Sequence, residues 1–295
     1  MVDFWEIDET GSGRLLGVFE SGSPEWHAQR NEFGVVTGSQ IGTLMGVNPW
    51  ESAFTRFYKA QGKVSDVIEP SMAMKIGTAL EAPLLDLFAG ENPDLTLYRT
   101  GTWVSCQHDW MRANPDAIYT DQDGNLGIIE VKFSRDYWQD GPPLHYQMQL
   151  NWYLGILGFK AGKFVALAGS NFTVVDYVFD ELLFDAQVER AQAFRQALFD
   201  NRPPVWDGSN STYETVRELN PNIDPNVSVE LGELGRELVE LVVQQEKLNQ
   251  DLNSVKSEVL AWMGQAKYGL VDGNQICSRQ QRGAGLPYLV MKGTK

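Results

Sequence analysis

The chain has 295 residues, of which 43% are hydrophobic, and its formal net charge is −15. This length and composition predict a globular domain with an additional segment and exclude a disordered chain. The negative charge excludes a surface that is basic throughout, so a nucleic acid would have to bind in a local groove. No apolar run approaches the roughly 18–20 residues that cross a bilayer, and the acidic residues 1–9 lack the pattern of a signal peptide. We therefore predict a cytoplasmic protein with no membrane partner.

Three short helices are predicted at the start of the chain. The first spans residues 24–31 and begins at a proline, which is favoured in the first turn of a helix. Thr37 and Gln40 have the spacing of a capping box, which marks the start of a second helix that runs to Met45. A third helix is predicted over residues 52–62.

A longer helix is predicted over residues 72–90, with Glu81 near its middle. Because proline lacks the N–H group that a helix interior needs, we expect Pro83 to break this helix or to begin a fresh first turn. Two further helices are predicted over residues 144–158 and 180–199.

Short strands are predicted between and after these helices. They span residues 96–100, 102–106, 117–120, 126–133, 163–168 and 171–178. The polar run 121–125 separates the third strand from the fourth, which is a strong signal for a β-hairpin. The alternation of helices and strands predicts an α/β (α+β) protein.

The end of the chain has a different pattern. Apolar residues recur in alternating steps of three and four, as in a heptad seam with Gln245 as its polar member. The seam positions are Leu231, Leu234, Leu238, Leu241, Gln245, Leu248, Leu252, Val255, Val259 and Trp262. A β-hairpin that turns at 271–274 follows, within a net-positive segment.

We predict a main domain over 1–206, a linker over 207–229 and a C-terminal extension, consisting of the heptad helix and the basic hairpin, over 230–295. The helix could pack on its own domain, join two subunits or dock a partner, and Gln245 could then set the register.

Asp116, Glu130 and Lys132 form the group of residues that best suits catalysis. Because side chains alternate along a strand, Glu130 and Lys132 share one face while Val131 points away. If the hairpin turns near Asp123, Asp116 lies opposite Glu130, since each is seven residues from the turn. Two such carboxylates suit Mg²⁺ or Mn²⁺, and the backbone carbonyl of Val131 can add a ligand. A water made acidic by the metal and oriented by Lys132 could attack a phosphodiester. The same pattern also fits a plain surface strand, so the surrounding residues decide.

Four motifs in the order and spacing of a known family surround this group. Pro115-Asp116 followed by Glu130-Val131-Lys132 resembles the signature of PD-(D/E)XK nucleases. That resemblance implies a restriction-endonuclease-like core, with a mixed central sheet flanked by helices. The other three motifs resemble those of the lambda-exonuclease or YqaJ-type viral recombinase branch, over roughly residues 24–200. They are Trp26-His27-x-x-Arg30 followed by Gly34-Val35-Val36-Thr37-Gly38-Ser39, then Gly77-x-x-x-Glu81, and Gln147-Met148-Gln149.

The resemblance implies a role for each matching residue. Asp116 and Glu130 would be ligands of Mg²⁺, for which Mn²⁺ can substitute, and Lys132 would position the attacking water. Glu81 would bind the metal through water, and Gln147 would lie beside the metal or the phosphate.

The resemblance also implies a site for the 5′-phosphate of a DNA end, formed by Arg30, Thr37, Ser39 and Asn114. Asn114 occupies a place where some members of the family have serine. Independently, a residue in the first turn of a capped helix, such as Ser39, favours an anion, and Arg30 can form bidentate hydrogen bonds to phosphate. The alternative is that Thr37 and Ser39 only cap the helix.

Members of this family degrade the 5′ strand of linear duplex DNA and leave 3′ overhangs. They act beside a single-strand annealing protein in phage-type recombination, and some form a ring-shaped trimer. We therefore expect an exonuclease that acts on double-stranded DNA ends, is homo-oligomeric and resides in the host cytoplasm if it is phage-encoded.

Two alternatives remain at this point: a sequence- or structure-specific endonuclease of the same superfamily, and a catalytically silent protein that binds DNA or a partner. A nuclease with a four-cysteine cluster is disfavoured because the chain has two cysteines.

Overall fold

The computed structural model describes residues 3–4, 8–20, 22–66 and 71–292. The chain divides into two units, Met1–Pro221 and Asn222–Lys295. The helices of the first unit are α1 (Pro24–Asn31), α2 (Gly38–Leu44), α3 (Ala53–Ala60), α4 (Met72–Glu91), α5 (Leu144–Leu157), α6 (Glu181–Phe199) and α7 (Asn210–Leu219). Its strands are β1 (Asp3–Phe4), β2 (Gly13–Gly17), β3 (Val36–Thr37), β4 (Thr96–Arg99), β5 (Thr102–Ser105), β6 (Met111–Ala113), β7 (Ala117–Thr120), β8 (Leu126–Ser134), β9 (Ala161–Ala168) and β10 (Asn171–Val178).

A six-stranded mixed sheet forms the centre of the first unit. Its strand order is β1-β4-β7-β8-β9-β10, with β8 parallel to β9 and antiparallel to β7. A four-stranded sheet of order β2-β5-β6-β3 accompanies it. The predicted mixed central sheet flanked by helices is confirmed.

The two faces of the central sheet pack against different helices. Ile118 and Ile128 belong to the core cluster that contains the buried residues of α5. Ile129 and Val131 belong to the cluster that contains the buried residues of α4. Because side chains alternate along β8, its even-numbered residues face α5 and its odd-numbered residues face α4. Glu130 and Lys132 are therefore directed to the α5 face.

Helix α4 continues through Pro83, so the expected break at that residue is wrong. The residues Leu84, Leu85 and Phe88, which follow the proline, are buried against the sheet, and Leu80, which precedes it, packs on the same cluster. Burial of several large apolar side chains outweighs the cost of about 3 kcal/mol for an interior proline.

Helix α7 lies inside the segment 207–229, where we predicted a linker. Its hydroxyl groups contact α3: the Thr55 Oγ1 atom lies 2.6 Å from the Ser211 Oγ atom and 2.8 Å from the Thr215 Oγ1 atom. The Thr212 hydroxyl donates to the Ser52 Oγ atom at 2.8 Å. These contacts join residues more than 150 positions apart, so no local pattern could indicate them.

The second unit contains α8 (Gly232–Met263) and the strands β11 (Tyr268–Val271), β12 (Asn274–Gln280) and β13 (Tyr288–Met291). The heptad helix and the hairpin that turns between β11 and β12 are as predicted, but β13 adds a third strand. Among the described residues of the whole chain, no helix combines the length and the apolar character needed to cross a membrane.

Candidate active site

The hairpin of β7 and β8 places Asp116 beside Glu130. Ala117 is paired with Ile129 and Ile118 with Ile128, so extending the register by one residue sets Asp116 opposite Glu130. Beyond the end of β7, the Asp116 Oδ2 atom accepts a hydrogen bond from the Val131 N–H group at 2.7 Å. The register predicted from the turn is confirmed.

Glu130 is almost fully buried, with 2% of its surface exposed. Its Oε1 atom accepts hydrogen bonds from the Lys132 Nζ atom at 2.6 Å and from the Gln149 Nε2 atom at 2.7 Å. Its Oε2 atom is also buried but has no hydrogen-bond partner among the described residues. A buried carboxylate oxygen without a partner is costly, so this atom is free to bind a cation.

Lys132 is held between the carboxylate and the α5 side chains. Besides Glu130, its Nζ atom donates to the Gln149 Oε1 atom at 3.2 Å and lies 4.8 Å from the centre of the Tyr146 ring. Burial by itself would lower the pKa of Lys132, but the carboxylates of Glu130 and Asp116 outweigh it and raise this pKa above its usual value. Lys132 is therefore a positively charged group with a fixed position.

Glu81, on α4, interacts electrostatically with the same carboxylates. Burial, followed by the charge of Asp116, raises the pKa of Glu81 to about 7. Burial and the charge of Asp116 also raise the pKa of Glu130 to about 8. The pKa of Asp116 is raised by burial too, although Lys132 and the Val131 N–H group oppose the shift. The carboxylates thus repel one another, which is the electrostatic setting that a divalent cation relieves.

The residues present suit a hard divalent cation that keeps several waters. No group of three His, Cys, Asp or Glu side chains within the described ranges forms a complete metal cage. Mg²⁺, however, commonly takes only one or two carboxylates together with water. The unpaired Glu130 Oε2 atom and the opposed Asp116 provide these. The Val131 carbonyl points to the same side of β8 as its N–H group, which is the side of Asp116.

Arg30 and Ser39 form a second group of polar side chains. The Arg30 guanidinium donates to the Ser39 Oγ atom at 2.7 Å and lies 4.2 Å above the centre of the Trp26 ring. The Thr37 Oγ1 atom is 3.1 Å from the Ser39 Oγ atom, while the Thr37 N–H group donates to Gln40. The predicted capping box is present. Thr37 is buried and caps α2, whereas Ser39 is exposed and Arg30 is partly exposed.

Tyr153 joins this group to the carboxylates. A Cβ atom on Gly38 would lie 2.3 Å from the Tyr153 ring, so only glycine permits α2 to approach α5 this closely. The Tyr153 hydroxyl accepts a hydrogen bond from the Gln149 Nε2 atom at 2.9 Å. The same Gln149 group donates to Glu130. Burial lowers the pKa of Arg30, whereas Tyr153 and Glu130 oppose this shift.

Comparison with known proteins gives a family for this arrangement. Residues 25–160 match the family model of the YqaJ-like viral recombinase domain. The chain is 23% identical over 274 residues to the uncharacterized protein YqaJ of Bacillus subtilis (strain 168), a match that covers 88% of this chain and 83% of that protein. Residues 25–160 are therefore similar to a YqaJ-like viral recombinase domain.

The fold of this YqaJ-like domain is also found in a solved structure. The crystal structure of the alkaline exonuclease LHK-Exo from Laribacter hongkongensis matches with a TM-score of 0.51 and 20% identity, covering 61% of this chain and 94% of that one. The structure of the same protein in complex with dAMP matches equally well. This likeness concerns the fold.

The Q-x-Q motif of the YqaJ-like domain differs from our expectation. The Gln147 Nε2 atom donates to the Pro142 carbonyl at 2.6 Å, whereas Gln149 contacts Glu130, Lys132 and Tyr153. Residues two apart on a helix point in nearly opposite directions, so both glutamines cannot face the carboxylates. The structure therefore places Gln149 in the site instead of Gln147. The sequence signal that could have indicated Gln149 is its four-residue spacing from Tyr153, which places both side chains on one face of α5.

Asn114 lies in the turn before Asp116. Its Nδ2 atom donates to the Thr102 Oγ1 atom at 2.5 Å, and its Oδ1 atom is buried without a partner among the described residues. Because the oxygen and nitrogen of an amide are assigned from hydrogen bonding, a rotated amide would accept from the Thr102 hydroxyl and release its NH₂ group. Asn114 thus has a polar atom that the described residues leave unpaired.

Proposed function

We propose that this chain is a Mg²⁺-dependent exonuclease that degrades the 5′ strand of linear double-stranded DNA and leaves 3′ overhangs for recombination. The observation that carries the proposal is that Tyr153 packs against Gly38, next to Ser39, and is connected through Gln149 to the buried Glu130. Such a site combines a centre for phosphodiester hydrolysis with a pocket for a terminal phosphate. The match to a viral recombinase domain and the fold shared with an alkaline exonuclease support the same conclusion.

Each residue of the site has a task that follows from its surroundings. Asp116, Glu130 and the Val131 carbonyl would hold Mg²⁺, or Mn²⁺ in its place, with Glu81 contributing through water. When bound, the ion would supply Lewis-acid activation of the phosphodiester and of an attacking water. Lys132, fixed by Glu130 and Gln149, would orient that water and stabilise the negative charge on the phosphate.

Arg30 and Ser39 would hold the 5′-phosphate at the DNA end. A guanidinium forms strong, directional hydrogen bonds to phosphate, and the Ser39 hydroxyl beside it can also donate. An endonuclease that cuts within a duplex has no use for a pocket of this kind. The motifs further suggest a single-strand annealing protein as partner, self-association and action in the cytoplasm, and we include these in the proposal.

The proposal is tested with linear duplex DNA labelled separately at each 5′ and each 3′ end. With Mg²⁺, we expect the 5′ labels to be released first and a 3′ single strand to accumulate, while closed circular DNA stays intact. Equal rates on circular and linear DNA would favour the endonuclease alternative. No cleavage of either DNA with Mg²⁺ or Mn²⁺ would favour a silent binding protein.

Replacing Arg30 with alanine should remove the preference for a phosphorylated 5′ end. A hydrogen bond to a charged group contributes about 1.5–3 kcal/mol, so we expect the rate ratio between phosphorylated and hydroxyl ends to fall about ten-fold or more. The ratio is measured on two duplexes that differ only in this phosphate. Arg202→Ala, which removes an exposed arginine paired with Asp200, is the matched control and should leave the ratio unchanged. An unaltered ratio in Arg30→Ala would contradict the assigned pocket.

The two glutamines of α5 form a matched pair of variants. Gln149→Ala removes the side chain that holds both Glu130 and Lys132, and such supporting groups typically contribute about 10–100-fold to activity or metal affinity. Gln147→Ala removes only a bond to the Pro142 carbonyl, so its activity should stay close to that of the unaltered chain. Initial rates at several Mg²⁺ concentrations distinguish the two. A larger loss for Gln147→Ala would show that the original assignment of that residue holds.

A further inference from the structure

Helix α8 carries an apolar seam that the other described residues of its own unit, up to residue 292, do not cover. The helix has 32 residues, about 48 Å at 1.5 Å per residue, and none of them is buried. Leucines in the middle of the seam have more than half of their surface exposed: 56% for Leu238, 54% for Leu241 and 67% for Leu248. A continuous apolar stripe of this length on a helix marks a surface for association.

We propose that α8 forms a parallel, in-register coiled coil with the same helix of a second copy of this chain. Gln245, the polar member of the seam, is the first reason for this arrangement. In a parallel pair it lies beside Gln245 of the second copy, and the two amides can form a hydrogen bond. In an antiparallel pair with a fully overlapping seam it faces Leu248 of the second copy and stays unpaired, which is costly in an apolar layer.

The charges that flank the seam select the same orientation. In the parallel pair Asp251 lies beside Lys256 of the second copy, five positions further along, and the symmetric contact occurs on the other side. One heptad earlier, Gln244 of one copy lies beside Asn249 of the second copy in the same way. In the antiparallel pair Glu237 instead lies beside Glu258 of the second copy, so two like-charge contacts arise.

The flanking charges are also free to make these contacts. Within α8 the described ion pair is Arg236 with Glu233, at 3.9 Å, and neither Asp251 nor Lys256 has an ion-pair partner among the described residues. In the parallel arrangement the charges beside the seam complement those of an identical helix. We therefore take a second copy of this chain as the partner that covers the seam. This inference deepens the self-association included in the proposed function but does not depend on nuclease activity, since neither test below involves DNA.

Cysteine cross-linking tests the register in the full-length chain. The background variant is Cys106→Ser, because Cys106 is exposed whereas Cys277 is buried. On mild oxidation, Gln245→Cys in the seam should form a covalent dimer, since same-numbered seam residues lie within disulfide reach. Gln250→Cys on the opposite side of the helix is the matched control and should remain monomeric on a non-reducing gel. Cross-linking only in a mixture of Gln245→Cys and Leu248→Cys chains would indicate the antiparallel pair and overturn the proposal.

The mass in solution gives a second, independent test. We expect the unaltered chain to have at least twice the mass of one chain, and the double variant Leu238→Glu, Leu241→Glu to fall to a lower mass. The double variant Val239→Glu, Val243→Glu places the same charges on the outer side of the helix and should keep the original mass. A monomeric unaltered chain, as expected if the seam packs on its own chain or awaits a different protein, overturns the proposal. The proposal is also overturned if the double variant Leu238→Glu, Leu241→Glu keeps the mass of the unaltered chain.

Discussion

Replacing Lys132 with methionine is expected to lower the rate of DNA cleavage by about 10²–10⁴-fold, the usual contribution of a positioned charged or proton-transferring side chain. Methionine keeps the length and apolar stem of the lysine but removes the ammonium group that Glu130 and Gln149 hold in place. The carboxyl of Glu130, whose pKa burial already raises to about 8, should then become neutral. The fold should therefore survive, so the loss of activity would be chemical in origin.

The measurement compares single-turnover rates on linear duplex DNA, with circular dichroism as the check on folding. Lys163→Met is the matched control, because Lys163 on β9 forms its ion pair with Asp176 on β10. It should cleave at close to the original rate. A folded Lys132→Met chain that retains full activity would refute the assigned role of Lys132.

Metal-free protein should become less stable as the pH rises from about 4.5 to about 8, and Mg²⁺ or Mn²⁺ should reverse this loss. Burial raises the pKa of Glu130 to about 8 and that of Glu81 to about 7, both above their ordinary value. Across this window the folded chain holds protons that the unfolded chain has already released, so its free energy of unfolding falls as pH rises. A bound divalent cation takes the place of those protons and stabilises the folded state.

Thermal unfolding midpoints at three pH values, after dialysis against a chelator, with and without added metal, test this expectation. Glu130→Gln should flatten the dependence on pH and reduce the shift caused by metal, since an amide does not ionise. Glu91→Gln, at the exposed end of α4, is the control and should behave like the unaltered chain. Midpoints that are independent of pH and of metal would contradict the carboxylate site.

The features that the sequence predicts best depend on neighbours along the chain. The hairpin of β7 and β8 has a polar turn between two apolar runs, and the register of Asp116 and Glu130 follows from counting residues to that turn. The start of α2 is likewise marked by Thr37 and Gln40, three residues apart. The heptad pattern of α8 is visible because it repeats every seven residues along one helix.

Features that depend on distant contacts were missed or misplaced. Helix α7 is held by hydroxyl contacts to α3, and α4 passes through Pro83 because residues on both sides of it pack on the same sheet. Strands such as β6, with three residues, are too short to carry a recognisable alternation of their own.

The sequence by itself determined that Asp116, Glu130 and Lys132 would share one end of a hairpin, because strand alternation and turn position follow from the local chain. Only the tertiary structure decided what surrounds them. The rotation of α5 over the sheet brings Gln149 to Glu130 and turns Gln147 to the Pro142 carbonyl. The close approach of α2 to Tyr153 at Gly38 then joins the Arg30–Ser39 pair to the carboxylates. Both outcomes are set by packing between elements distant in the chain, which local spacing does not specify.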